Sequence, residues 1–266
     1  MDYKIVNYKN KRYITIPKLS NLGLKHVFTT IDMDIGMKTN KSIEDIKNNI
    51  NLVYEFLEIQ PKLLYNGYQS HTNNIEIIKD INQGEVSPFG RFIPNTDGLI
   101  TGKKDIALII RFADCTPILL FDPIKKVQAN IHSGWRGTLQ KIGAHGVDLM
   151  VNNFNCNPKD ILAVLGPSIS KEDFEVDIDV MELFKNEFDY KDIIFKKDNI
   201  KYLIDLTTIN KRILIEKGIR VENITDIALS TFSNPDLFHS YRRDKQKYGL
   251  MGLITCLGEN IDVIIR

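Results

Sequence analysis

Three residue types that build special chemistry are scarce in this chain: its 266 residues include three cysteines, five histidines and one tryptophan. Cys115, Cys156 and Cys256 are too few and odd in number for a disulfide framework, which points to a reducing, cytoplasmic setting. There is no excess of one charge either. Lys and Arg number 35 against 34 Asp and Glu, a formal net charge of +1. Nothing therefore drives binding to a phosphate backbone, and no nucleic-acid partner is expected. No apolar run is long enough for a membrane span: Ile106 to Phe121 is broken by Arg111, Asp114 and Pro117. Met1 to Arg12 is polar and lacks the apolar stretch of a secretory signal. Several catalytic signatures are missing as well. No G-x-G-x-x-G follows a strand and there is no Walker A motif, so dinucleotide and P-loop chemistry are unsupported. H-E-x-x-H, G-x-S-x-G and the H-x-E…P-C-x-x-C signature of nucleobase deaminases are likewise absent.

What is present is an alternation of short strand-like and helix-like segments, with no Pro- or Ser-rich linker and no repeat. One domain over residues 1–266 is expected. Ser42, followed three residues later by Asp45, predicts a capped helix start, and Ile43, Ile46, Ile50, Val53 and Leu57 recur at helical spacing until Pro61. Strands are predicted on either side of a turn at Lys9 to Lys11, and over His26–Thr30, Leu63–Tyr68, Ile75–Ile78, Leu99–Thr101, Ile106–Ile110, Ile118–Phe121, Val127–Ile131, Ile161–Leu165, Ile224–Leu229 and Gly249–Cys256. Helices are predicted over Thr138–Asn153, Val180–Phe188 and Thr207–Lys217. This mixture fits an α/β (α+β) layered sandwich, with helices covering a largely buried mixed sheet.

Chemistry concentrates in three short segments. Gln69-Ser70-His71 ends a strand, Ala113-Asp114-Cys115-Thr116-Pro117 interrupts two apolar runs, and His132-Ser133-Gly134-Trp135-Arg136-Gly137-Thr138 closes another strand. Two imidazoles and a thiolate suit a borderline-soft ion such as zinc, and three protein ligands leave a fourth tetrahedral position open. The spacings match no zinc finger or ribbon, so the fold itself would have to bring His71, Cys115 and His132 together. The two glycines around Trp135 and Arg136 mark a constrained strand-to-helix turn, and the Arg136 guanidinium suits phosphate or carboxylate. Arg242 and Arg243 form a second cationic pair. Asp97 and Asp114 are the acid–base candidates by proximity. His26, His145 and His239 read as packing or surface residues.

These segments also carry a resemblance. ADCTPILLFDP, HSGWRGT, LGPSIS, the Phe174–Val176 segment and FHSYRRD occur in the order characteristic of the YfiH/YlmD-like family. That family is also described as laccase-domain, polyphenol-oxidase-like or FAMIN-like, and the resemblance runs from about Phe28 to the C-terminus. It implies a metal site on His71, Cys115 and His132 and an α/β sandwich fold. It also implies phosphorolysis of adenosine, guanosine, inosine and methylthioadenosine with phosphate, and deamination of adenosine. An older attribution in the family is copper-dependent polyphenol oxidation. The chain departs from the pattern in several places, including Thr96-Asp97-Gly98 where the family has A-D-[AG]. The family's arginine and Gly-Gly loop after the Phe28 strand are replaced by Thr29-Thr30-Ile31-Asp32-Met33-Asp34-Ile35-Gly36, a family cysteine is Ser230, and the usual Q-V-H reads Gln69-Ser70-His71.

Three function classes follow. The first is a zinc-dependent purine nucleoside enzyme. The second is a copper oxidase, which five histidines supply poorly and whose soft axial methionine is missing from these motifs. The third is a metal-independent cysteine hydrolase, with Cys115 as nucleophile and His132 or His71 as base.

Overall fold

Alternating side chains give the central strands two buried faces, and this sets the layering. In the computed structural model, which describes residues 2–37, 39 and 41–258, the strand Ile106–Phe112 sends Ala107 and Ile109 to one side and Ile110 and Phe112 to the other. Thr116–Asp122 does the same, with Leu119 and Phe121 on one face and Ile118 and Leu120 on the opposite one. Strands buried on both faces read as continuous apolar runs.

An eight-stranded sheet runs in the order Lys4–Tyr8, Lys11–Thr15, Leu24–Thr29, Met251–Leu257, Ile106–Phe112, Leu63–Gly67, Gly90–Ile93, Glu85–Ser87. A six-stranded sheet runs Ile224–Asp226, Leu162–Leu165, Thr116–Asp122, Val127–Ser133, Gly98–Thr101, Ile75–Ile77. Both are mixed: Leu63–Gly67 is parallel to its two neighbours, and the six-stranded sheet has parallel pairs at both edges. A small third sheet joins Glu175–Val176, Tyr202–Ile204 and Ile194–Lys196.

The two large sheets face each other across a core that includes Phe28, Ile110, Leu119, Phe121, Val164 and Leu253. Each such side chain contributes about 1.5–3 kcal/mol by leaving water. The helix Ile43–Leu57 covers the outer face of the eight-stranded sheet through Ile46, Ile50 and Val53, and its predicted capping box between Ser42 and Asp45 is formed. Ile142–Phe154 covers the outer face of the six-stranded sheet through Ile142, Val147 and Met150, joined by Leu214 of the helix Leu206–Glu216. The predicted mixed α/β sandwich is therefore found, with two large buried sheets where one was expected.

Several boundaries differ for local reasons. The helix expected over Thr138–Asn153 is two helices, Trp135–Leu139 and Ile142–Phe154, because Lys141 adopts φ 53° between them. The break leaves Thr138 buried, where its hydroxyl bonds Ser133 and Asn210. The strand at Ile224 stops at Asp226, whose carboxylate takes the Ala228 N–H two residues on, where φ is 52°. Short pieces such as Glu85–Ser87, Gly90–Ile93 and the third sheet carry too few alternations to register in the sequence.

Candidate metal centre and cavity

The register of one hairpin makes two of the donors neighbours. Thr116 pairs with Ser133 and Pro117 with His132, so Cys115 and Gly134 lie just past the last rung. Along Val127–Ser133, Gln128 and Asn130 face the eight-stranded sheet, donating to the Ile106 and Leu108 carbonyls. By the same period of two, His132 faces that way at the sheet end. Its N–H donates to the Asp97 carbonyl at 2.7 Å, which continues the ladder to Gly98–Thr101. The edge strand Ile75–Ile77 pairs with that same strand and brings the loop of His71 alongside.

Asp97 organises this end. Its carboxylate, with no solvent exposure, accepts the N–H groups of Ser70, His71 and Thr72 and the Thr72 hydroxyl. Three successive amides converging on one carboxylate hold the turn in which His71 has φ 61°, a left-handed conformation that a non-glycine residue rarely takes. The same carboxylate lies 2.9 Å from His132 Nδ1. Burial works to raise the Asp97 carboxyl, but His132 and Thr72 outweigh it and hold it at about 2.

The donor atoms of His71, Cys115 and His132 lie within 4.8 Å of one another, and Cys115 Sγ is 3.8 Å from His71 Nε2. A tetrahedral ion with Zn–S near 2.3 Å and Zn–N near 2.05 Å would set an S–N edge of about 3.6 Å. The residues therefore fit a three-donor metal site. His132 is buried, Cys115 partly so, and His71 exposed, so the set opens on one side. Desolvation would raise the Cys115 thiol, but the His132 and His71 rings more than offset it and bring it to about 6. Burial lowers His132, yet the thiolate and Asp97 push it upward overall. Gly134 is required for space: a Cβ there would lie 2.7 Å from His71 Cδ2 and 3.0 Å from Cys115 Sγ.

These donors line a cavity of about 570 Å³ that is also walled by Phe112, Trp135, Phe174 and Tyr241. Arg136 is exposed at this cavity and lies 4.2 Å over the Trp135 ring. Arg242 also lines it, donating from Nη1 to the Glu175 carbonyl, with its guanidinium carbon 5.6 Å from the centre of the Phe174 ring. Arg243 does not line it: its guanidinium donates to the Thr231, Phe232 and Phe238 carbonyls and pairs with Asp244. Asp114 is at the wall with φ 83°, and both its oxygens are taken, one by the Thr231 hydroxyl and one by the Arg242 N–H, each at 2.7 Å. Asp97 lies behind His132 rather than on the cavity wall. Of the other histidines, His26 is buried in the core and His145 bonds the Asn73 carbonyl.

Several cavity residues lie outside the sequence motifs, among them Leu206, Tyr248 and Leu250. Arg111, noted in the sequence only as an interruption, lines the cavity, and so does Met37, which lies outside the three motifs. A single charge inside the otherwise apolar strand Ile106–Phe112, central in its sheet, was the available signal for Arg111.

Residues 25–257 match the family described as multi-copper polyphenol oxidoreductase laccase. The purine nucleoside phosphorylase YlmD of Bacillus subtilis is 29% identical over 94% of this chain and 90% of its own. A purine nucleoside phosphorylase of Rickettsia prowazekii is 32% identical over 78% of this chain and 82% of its own. The crystal structure of the YfiH protein of Bacillus licheniformis superposes with TM-score 0.84 at 26% identity, covering 94% of this chain and 100% of the other. The chain thus belongs to the YfiH/YlmD-type, laccase-domain family.

Proposed function

We propose that the chain is a zinc-dependent, cytoplasmic purine nucleoside enzyme, one domain over residues 1–266. In this reading it phosphorolyses adenosine, inosine, guanosine and methylthioadenosine and hydrolytically deaminates adenosine. The observation that carries the proposal is the cavity, where an open-sided His71–Cys115–His132 set shares a wall with Trp135, Phe174 and Tyr241 and with two arginines at the surface. Flat aromatic walls beside a few polar groups suit a heteroaromatic base. The names of the relatives support the substrate class.

In phosphorolysis a phosphate oxygen bonds to ribose C1′ as the C1′–N9 bond breaks. The electron pair leaves with the base, which takes up a proton, and the products are ribose 1-phosphate and free base. In deamination water adds at C6 and ammonia leaves, converting adenosine to inosine. A bound zinc supplies Lewis acidity and a water of lowered pKa. The chain's own residues provide the rest. His71, Cys115 and His132 hold the ion, and Asp97 keeps the His132 proton on Nδ1 so that Nε2 offers its lone pair. Arg136 and Arg242 draw phosphate to the mouth. Asp114 positions the Arg242 backbone, and Arg243 anchors the same loop.

The donor set would also accept copper, and the family's description carries that metal. Against an oxidase stands the single group of three donors among the described residues, since a multicopper centre needs several. The depressed Cys115 thiol beside two imidazoles favours the cysteine hydrolase as the second reading. The deciding experiment incubates zinc-loaded protein with adenosine, with and without phosphate, and identifies the products. Inosine is expected in both, with adenine and ribose 1-phosphate only when phosphate is present. A zinc form inert on every nucleoside, with a copper form that oxidises phenols, would replace this proposal. Activity that survives metal removal but not Cys115→Ala would install the cysteine nucleophile instead.

A further inference from the structure

The geometry points to Arg111 as the residue that holds the phosphate ion inside the cavity. The inference rests on the nucleoside reading for its biological meaning but not for its physical basis. Arg111 is 5% exposed and lines the same cavity as the metal donors. Its Nε donates to the Ile35 carbonyl at 2.6 Å, which fixes the guanidinium plane. Nη1 and Nη2 are buried and have no hydrogen-bond partner among the described residues. Among the described residues no carboxylate forms an ion pair with it either. Asp34 is near enough to be felt, but its Oδ1 receives the N–H groups of Gly36 and Leu250.

A buried cation without a partner is strongly unfavourable unless something compensates it. Burial pushes Arg111 down to about 10, so it stays charged at neutral pH. With Nε occupied, Nη1 and Nη2 form a two-pronged donor of the kind that grips a tetrahedral oxyanion. Arg136 and Arg242 are exposed at the mouth, and each already leans on a neighbouring ring. Their place suits capture, whereas that of Arg111 suits retention. The fork is held by the loop Ile31–Gly36, the segment that departs from the family pattern, through the Ile35 carbonyl.

The test is a titration of the purified full chain with orthophosphate at constant ionic strength, without nucleoside, read by thermal unfolding. Wild type should gain stability in saturable fashion. Arg111→Gln should weaken the apparent affinity by at least about tenfold, as expected for loss of a charge-assisted contact. Arg111→Lys keeps the charge and can still reach Ile35, and should fall between the two. If Arg111→Gln does not fold, Arg111→Lys carries the comparison, and wild-type affinity in it overturns the assignment. An unchanged midpoint in Arg111→Gln with a lost one in Arg136→Gln also overturns it. A nucleoside 5′-monophosphate carries the same oxyanion, so AMP is titrated in parallel. Stabilisation by AMP but not by free phosphate contradicts the assignment to the free ion. If phosphate binds through Arg111 yet no nucleoside loses its base, the anion site stands and the proposed reaction falls. If base release depends on phosphate equally in wild type and Arg111→Gln, the reaction stands and the anion site falls.

Discussion

His132 Nδ1 lies 2.9 Å from Asp97 Oδ1, and the Asp97 side chain has no solvent exposure. The carboxylate does two jobs at once, because the same group receives the amides of Ser70, His71 and Thr72. Two of the three donors, 61 residues apart in the chain by number (132 − 71), are thus oriented by one side chain. Such outer partners fix the tautomer and raise ligand basicity. Asp97→Asn keeps the shape but removes the charge, and its NH₂ cannot accept. Zinc affinity measured by chelator competition should fall roughly 10–100-fold. Affinity equal to wild type would show that Asp97 does not tune the site.

Gly134→Ala tests whether the donor set is as tight as the distances imply. Gly134 has φ −71° and ψ 173°, comfortable for alanine, so the backbone itself is not strained by the change. The added methyl would press on His71 and Cys115. The variant should fold with a far-UV spectrum like wild type and bind less than a full equivalent of zinc. Full zinc occupancy with unchanged affinity would contradict the packing argument.

His26 supplies a pH dependence separate from the metal. Its Nε2 accepts the Ile16 N–H at 2.8 Å, and its Nδ1 is 3.0 Å from the Leu24 carbonyl. Burial brings it down to about 4 from an ordinary 6.5. Between those values the unfolded chain binds the proton and the folded chain does not. Stability is therefore intact above pH 6.5 and is lost as pH falls towards 4, by roughly 3 kcal/mol in all. In urea unfolding, the stability gap between wild type and His26→Gln should narrow by about that amount between pH 7 and pH 4. A gap constant with pH would contradict it.

Much of this was legible in the sequence. The candidate metal donors stood out because His and Cys are rare here and occupy loops at strand ends, and the central strands because their apolar runs are long. Asp97 was legible as a turn carboxylate but not as the hub of the site, since its role depends on three amides and an imidazole that only the sheet register brings together. Arg243 and Arg242 look alike in sequence, yet one faces the cavity and the other is taken up by backbone carbonyls. Arg111 was hidden because the Ile35 carbonyl that fixes its side chain, and the cavity it lines, are built from segments far away in the chain.

The central claim, a single zinc held by His71, Cys115 and His132, is tested most directly by elemental analysis of protein purified without added metal. The account predicts close to one zinc per chain in wild type and much less in each of His71→Ala, Cys115→Ala and His132→Ala, all of them still folded. Copper in place of zinc, or a full equivalent of zinc retained in any two of the three variants, would contradict it.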